Sequence, residues 1–247
     1  MLCTGPSRGR PWCDKCDADL PRLPATVCPN CALPLPVRGI CGACLATPPC
    51  FDATVAVYAY SFPIDRLIGA LKFGSRLSLA SPFGEALGTQ SGERPDLIVP
   101  MPLSDERLRE RGFNQAREIS RHASRLTGIP IATDACRRVV HTSPQSQLPW
   151  KERSKNVRKA FVCLEQLAGL HVAVVDDVLT TGSTMNEVAR TLKKAGAARV
   201  SAWVVCRTPK PGDRPLGVWP DIRRTHDARS FNSIAEAAGR QMPACPH

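Results

Sequence analysis

His171-Val-Ala-Val-Val-Asp-Asp-Val-Leu-Thr-Thr-Gly-Ser-Thr184 is the most informative stretch of the 247-residue chain. Residues 171–175 read as a strand buried on both faces of a parallel sheet, because the run is continuous rather than alternating. It delivers two adjacent carboxylates, Asp176 and Asp177, and then a turn of small hydroxyl residues around one glycine. An amphipathic helix follows, marked by Met185, Val188, Ala189, Leu192 and Ala195 and closed by Gly196. Ligands of open α/β sheets bind beyond the carboxyl ends of strands, so this turn is well placed. The backbone N–H groups of Thr180, Thr181, Gly182, Ser183 and Thr184, with their hydroxyls and the helix N-terminus, form an anion cradle sized for a phosphate. Gly182 allows the backbone close to a ligand. Two carboxylates would repel the phosphate itself but would accept hydrogen bonds from vicinal hydroxyls, and a ribose 5-phosphate has both parts. The chain contains no G-x-x-x-x-G-K-[ST], which separates the turn from a nucleotide P-loop. A plain strand–turn–helix with an aspartate cap would need neither both acids nor four hydroxyls.

Outward from this turn, strand and helix patterns alternate. Thr54–Tyr60 reads as a strand, and Ile64, Leu67, Ile68 and Leu71 recur at helical spacing. Asp96–Pro102 is a short strand stopped by prolines, and Ala116, Ile119, Ala123 and Leu126 mark a helix ending at Gly128. Residues 129–133 and 137–140 fit short strands, and Arg199–Val205 fits another. This alternation predicts an α/β domain over 51–206, a parallel sheet flanked by helices. Beyond it, 207–247 is rich in proline and predicts no sustained structure.

Eight of the twelve cysteines fall in residues 1–50, six of them as Cys13/Cys16, Cys28/Cys31 and Cys41/Cys44. A C-x-x-C knuckle aims two thiolates at one tetrahedral ion, and nine residues with Pro34, Pro36 and Gly39 join the second pair to the third. Cys28, Cys31, Cys41 and Cys44 are therefore expected to close one structural Zn²⁺ site in a zinc-ribbon module that depends on metal to fold. Cys13 and Cys16, with Cys3 as a third ligand, suggest an incomplete second ribbon whose fourth ligand would precede Met1. The spacing equally allows Cys13 and Cys16 to share a site with Cys28 and Cys31, leaving Cys41 and Cys44 free.

The length permits one full domain and a smaller module. With 43% hydrophobic and 22% charged residues the composition excludes wholesale disorder. No apolar run reaches the roughly 18 residues of a membrane span, and residues 1–10 lack a signal-peptide core, so a cytoplasmic protein is expected. The net charge of +11 concentrates in 137–159, where Arg137, Arg138, Lys151, Arg153, Lys155, Arg158 and Lys159 face only Glu152. That stretch implies an anionic partner. With only 7 Phe, 4 Trp and 2 Tyr, and no interleaving of aromatic and basic residues, no base-stacking platform is visible.

Val174–Thr184 resembles the phosphoribosyl pyrophosphate (PRPP) motif of type I phosphoribosyltransferases, and with the cysteine module the chain resembles the ComF-type competence protein family. Val99-Pro-Met-Pro-Leu103, Arg107, Arg111-Gly-Phe-Asn-Gln115, Gln145, Leu148, Arg153, Asn156 and Ala160-Phe161 add to the likeness, which spans residues 13–206. The resemblance implies that Asp176 and Asp177 hold the ribose hydroxyls, directly or through Mg²⁺, and that Thr180–Thr184 hold the 5-phosphate. It implies that Pro102 and Leu103 belong to a pyrophosphate-binding loop and that Arg107 and Arg111 belong to a mobile segment over the site. On the residues themselves, the alternation of Arg107, Arg109 and Arg111 with acids predicts a largely solvated loop able to bring a cation to pyrophosphate. Two function classes stay open: a Mg²⁺-dependent transferase that displaces pyrophosphate with a nitrogen nucleophile, and a non-enzymatic adaptor binding single-stranded DNA or a helicase during DNA uptake.

Overall fold

The structure, a computed structural model, describes residues 10–90, 92–139 and 159–209. Cys3, the basic residues Lys151, Arg153, Lys155 and Arg158, the family-like Gln145, Leu148 and Asn156, and the chain after 209 lie outside the described residues.

The elements in chain order are α1 (Asp14–Ala18), α2 (Gly42–Ala46), β1 (Ala53–Ala59), α3 (Ile64–Phe73), a 3₁₀ turn (Leu77–Leu79), α4 (Ala80–Gly88), β2 (Leu97–Pro100), α5 (Asp105–Arg111), α6 (Gln115–Thr127), β3 (Cys136–Arg138), β4 (Phe161–Cys163), β5 (His171–Leu179), α7 (Ser183–Lys194) and β6 (Arg199–Arg207). β1, β6, β5 and β2 lie side by side in that order, every pair parallel. Ile131 adds a parallel bridge on the far side of β2, to Ile98. The chain leaves β5 through α7 towards β6, but leaves β2 through α6 in the opposite direction. This reversal puts the topological switch point between the carboxyl ends of β5 and β2.

Both sheet faces are covered. Ala173, Val175, Trp203 and Val205 pack with α3, α4 and α6 through Ile64, Ile68, Phe83, Leu87 and Ile119. Val172, Val174, Val200, Ala202 and Val204 pack with α7 and the antiparallel β3–β4 pair through Met185, Val188, Leu192 and Phe161. The period-two alternation along β5 and β6 sorts these residues between the faces. The N-terminal residues join this core. Trp12 is buried with its ring centroid 6.0 Å from that of Phe83, while Ala59 N–H donates to Pro21 O (2.7 Å) and Leu23 N–H to Val57 O (2.9 Å). The latter bonds cover the exposed edge of β1, which would otherwise invite pairing with another chain.

Three features depart from the sequence expectations. β5 runs through both aspartates to Leu179. Residues 105–111 form α5, started by the Ser104 side chain accepting from Arg107 N–H and stopped by left-handed Gly112, where a solvated loop was expected. α4 has no counterpart among the expected elements, because Pro82, Gly84 and Gly88 read as breakers. Pro82 sits in the first turn, where no hydrogen bond is lost. Gly84 is the contact point with α6: a Cβ there would stand 2.5 Å from Ile119 O and 2.6 Å from His122 Cβ. Among the described residues no helix is long and apolar enough to cross a membrane.

Candidate functional site

A cleft of about 440 Å³ opens at the switch point. One wall is the turn after β5, with Leu179, Thr180, Gly182, Ser183 and Thr184; the opposite wall is the loop after β2, with Met101, Pro102 and Leu103. The β2 loop is pinned at both ends of its first residue. Met101 N–H donates to Val175 O (2.8 Å), and Asn114 Nδ2 donates to Met101 O (3.0 Å) while its Oδ1 caps α6. Gly182 has φ 79°, the left-handed conformation that the turn into α7 requires and that other residues adopt at a cost. Thr181 is not among the lining residues; its hydroxyl accepts from Ser183 N–H (3.1 Å), which fixes the entry to α7.

The structure places Asp176 and Asp177 at the cleft but in different environments. They are consecutive residues of a strand, so their side chains leave on opposite faces. Asp177 turns to the α3 face, is 3% exposed, and lies with Oδ2 2.6 Å from Lys72 Nζ. Burial alone would lower the pKa of Lys72, but the Asp177 carboxylate outweighs it and raises it. Asp176 is half-buried, and its Oδ1 accepts from Asp177 N–H (2.8 Å). Burial first, and then the charge of Asp177, push Asp176 well above the usual carboxylate range.

Arg107 and Arg111, one turn apart on α5, both line the cleft, whereas Arg109 is exposed on the other side of the helix. The Arg111 guanidinium lies 5.1 Å from the centroid of the Phe73 ring and donates to Gln115 Oε1 (3.1 Å). Lys72 and Arg138 complete a group of four cations. Burial lowers the pKa of Arg111 and, with repulsion from Arg107, that of Arg138. Four cations share the lining with two acids, one of which is already paired with Lys72, and make a site whose charge a polyanion would balance. The sequence did not assign Lys72 or the lining residue Tyr60 to the cleft, and gave Arg138 only as part of the basic stretch 137–159 that implies an anionic partner. For Lys72 a signal existed: it follows Ile68 by four residues on the buried face of α3, where a lysine needs a partner.

A second cluster lies in the N-terminal module. The ligand atoms of Cys28, Cys31, Cys41 and Cys44 are all within 4.8 Å of one another, and all four residues are buried. Cys31 Sγ and Cys41 Sγ are 3.6 Å apart, close to the ~3.8 Å edge of a tetrahedron with ~2.3 Å metal–sulfur bonds. Cys41 N–H donates to Cys28 Sγ (3.4 Å). Burial opposes thiolate formation at Cys28, yet N–H groups of Cys41, Cys31 and Asn30 bring its pKa down to about 7. The arrangement could hold a metal ion and is compatible with a zinc ribbon. It takes the second and third pairs together, so the alternative that left Cys41 and Cys44 free is not what the fold adopts. Cys13 and Cys16 are not among its ligands.

The all-parallel sheet with a turn-and-arginine cleft at its switch point defines a phosphoribosyltransferase-type α/β domain, and residues 111–233 match the phosphoribosyl transferase domain family. The chain belongs to the ComF-type competence protein family. It is 37% identical over 196 residues to the DNA utilization protein YhgH of Escherichia coli K12, covering 76% of this chain and 86% of that protein. It is 32% identical to competence protein F of Haemophilus influenzae, covering 79% of this chain and 90% of the relative. Among solved structures, the glutamine PRPP amidotransferase from B. subtilis complexed with ADP and GMP is similar over 66% of this chain and 35% of that one, at 18% identity and a TM-score of 0.38.

Proposed function

We propose that the cleft binds PRPP or a closely related ribose phosphate, as part of a ComF-type protein acting in the cytoplasm in DNA uptake or utilisation. The observation that carries this is that four cations, Lys72, Arg107, Arg111 and Arg138, line one switch-point cleft together with the hydroxyl-rich turn at 180–184. The turn takes the 5-phosphate, while Pro102, Leu103, Arg107 and Arg111 take the pyrophosphate. Asp176 is the carboxylate available to the ribose hydroxyls. Asp177 was expected to share that task; its pairing with Lys72 gives it the different one of holding a cation at the cleft wall.

Mg²⁺ fits this donor set, since it binds through one or two carboxylates plus substrate phosphates and Asp176 lines the same cleft as the turn at 180–184. It would supply charge neutralisation on the pyrophosphate. Zn²⁺ fits the four-thiol cluster as a closed structural ion. Where a nitrogen acceptor is presented, this arrangement suits displacement of pyrophosphate from the ribose C1. That chemistry asks the protein for leaving-group stabilisation and alignment rather than a nucleophile.

Calorimetric titration with PRPP, ribose 5-phosphate and inorganic phosphate tests the reading. PRPP is expected to bind tightest and ribose 5-phosphate measurably, with both lost in Asp176→Asn combined with Arg111→Ala; equal affinity of the variant would overturn it. The names of the relatives favour a second reading, contact with single-stranded DNA or a helicase. Its signature is oligonucleotide binding that weakens steeply between 50 and 200 mM salt, a range over which several phosphate contacts cost orders of magnitude.

A further inference from the structure

We propose that Arg207 is a positioning residue that makes the turn at 179–184 depend on the metal state of the four-cysteine cluster. Arg207 ends β6 and is 3% exposed. Its Nε donates to Cys31 O (2.7 Å), inside one C-x-x-C knuckle. Its Nη1 donates to Leu179 O (2.8 Å) and Thr180 O (2.6 Å), at the start of the turn that lines the cleft. One planar fork therefore holds two elements more than a hundred residues apart in sequence. Across a trans peptide the C=O and the following N–H point in opposite directions. Pinning the carbonyls of Leu179 and Thr180 on the guanidinium thus aims the N–H groups of Thr180 and Thr181 away from it.

The order of the knuckle makes this link conditional. A small cysteine module takes its folding energy from the metal it binds, and here the knuckle is docked on the domain with Thr54 N–H donating to Pro29 O (2.9 Å). Loss of order there on metal removal displaces the Cys31 carbonyl that Arg207 Nε holds, and leaves one arm of a buried guanidinium without its acceptor. The functional consequence rests on reading the turn as a phosphate cradle; the coupling itself does not.

Amide hydrogen exchange on the full-length protein tests the coupling, comparing zinc-loaded and chelated, reduced samples. Exchange at residues 180–184 is expected to rise at least tenfold on metal removal, with β5 core amides at Val172–Val175 unchanged. Arg207→Met, with its full zinc content, is expected to show the faster turn exchange already and no further change on chelation. That non-additivity is what a merely structural arginine would not produce. Turn exchange insensitive to metal in the parent, or equally sensitive in Arg207→Met, overturns the proposal. Should chelation unfold the whole chain, zinc-loaded Arg207→Lys decides instead, since it keeps the charge but loses the fork. Faster exchange confined to 180–184 supports the link, and parental exchange refutes it. Ribose 5-phosphate affinity is measured alongside and is expected to fall at least tenfold without metal. If the sugar phosphate binds neither form, the cradle reading fails while the exchange data still judge the coupling.

Discussion

Lys72 Nζ lies 2.6 Å from Asp177 Oδ2, in a pair whose side chains are 21% and 4% exposed. Removing one member of such a pair leaves a buried charge without compensation, which costs about 3–5 kcal/mol. Lys72→Met is expected to lose stability of that order in urea titration, and Lys72→Met with Asp177→Leu to lose less than the sum of the single changes. The pH dependence has a definite sign. The folded-state pKa of Lys72 is raised above its ordinary 10.5, so its contribution is complete below that value and is lost as pH rises through the folded pKa. A parent whose stability does not fall off in strong alkali any more steeply than that of Lys72→Met contradicts the pairing.

Asp176 should behave in the opposite way. Its folded-state pKa is raised by burial and by Asp177, so the folded chain gives up this proton less readily than the unfolded chain does. Between its ordinary 3.8 and the folded value, stability therefore falls as pH rises. Asp176→Asn removes that penalty and can still accept from Asp177 N–H. At pH 7 the ligand-free variant is expected to melt above the parent, the gap closing as pH approaches 4, while binding of the sugar phosphate is lost. Stability gained as binding is lost marks a residue kept for function. A variant that melts at or below the parent at pH 7 shows that Asp176 is not under strain.

The aspartate pair also shows how far the sequence could be read. The continuous apolar run and the turn chemistry sufficed for the strand, the parallel sheet and the position of the cleft, because a doubly covered strand has few other sequences. The apolar run stops at Val175, whereas β5 carries on to Leu179, so the two aspartates leave the strand on opposite faces and meet different surroundings although both line the cleft. The grouping of Cys28, Cys31, Cys41 and Cys44 was legible because a knuckle is local. Lys72 and Arg138 carried only partial signals, a lysine on a buried helix face and a place in a basic stretch; their meeting in one cleft arises from α3 and β3 approaching β5 and α5 across long sequence separations. Arg207 read as the first residue of a loose tail, and only the fold shows it buried beneath the turn.

Gly84 offers a test of the fold away from the site. A Cβ at this position would collide with backbone and side chain of α6, at 2.5 Å from Ile119 O and 2.6 Å from His122 Cβ. Neither partner is the end of a flexible side chain, so the two helices must separate. Gly84→Ala gains helix propensity of about 1 kcal/mol, which overpacking of about 1–3 kcal/mol offsets or exceeds. The expected outcome is a lower melting temperature with ligand affinity unchanged. A clear rise in melting temperature would show that α4 and α6 are not in this contact.

The helical form of residues 105–111 divides the three arginines that alternate with acids along this segment, and separates Arg109 from the pair expected at the site. Arg107 and Arg111 are four apart and share the face towards the cleft, while Arg109 points away into solvent. In a loop all three could reach a pyrophosphate; on α5 only two can. A hydrogen bond to a charged group contributes about 1.5–3 kcal/mol, which converts to a loss of roughly 10- to 150-fold in affinity. Arg107→Ala and Arg111→Ala are each expected to weaken PRPP binding within that range, and both should also flatten its salt dependence. Arg109→Ala is expected to leave affinity within twofold of the parent. Arg111→Ala has a further readout independent of ligand, because its guanidinium packs against Phe73, which is 74% exposed. Removing that cover should alter the environment of the Phe73 ring, seen as a shift of its proton resonances. Equal losses from all three substitutions would mean that the segment works as a flexible loop rather than as a helix with two faces.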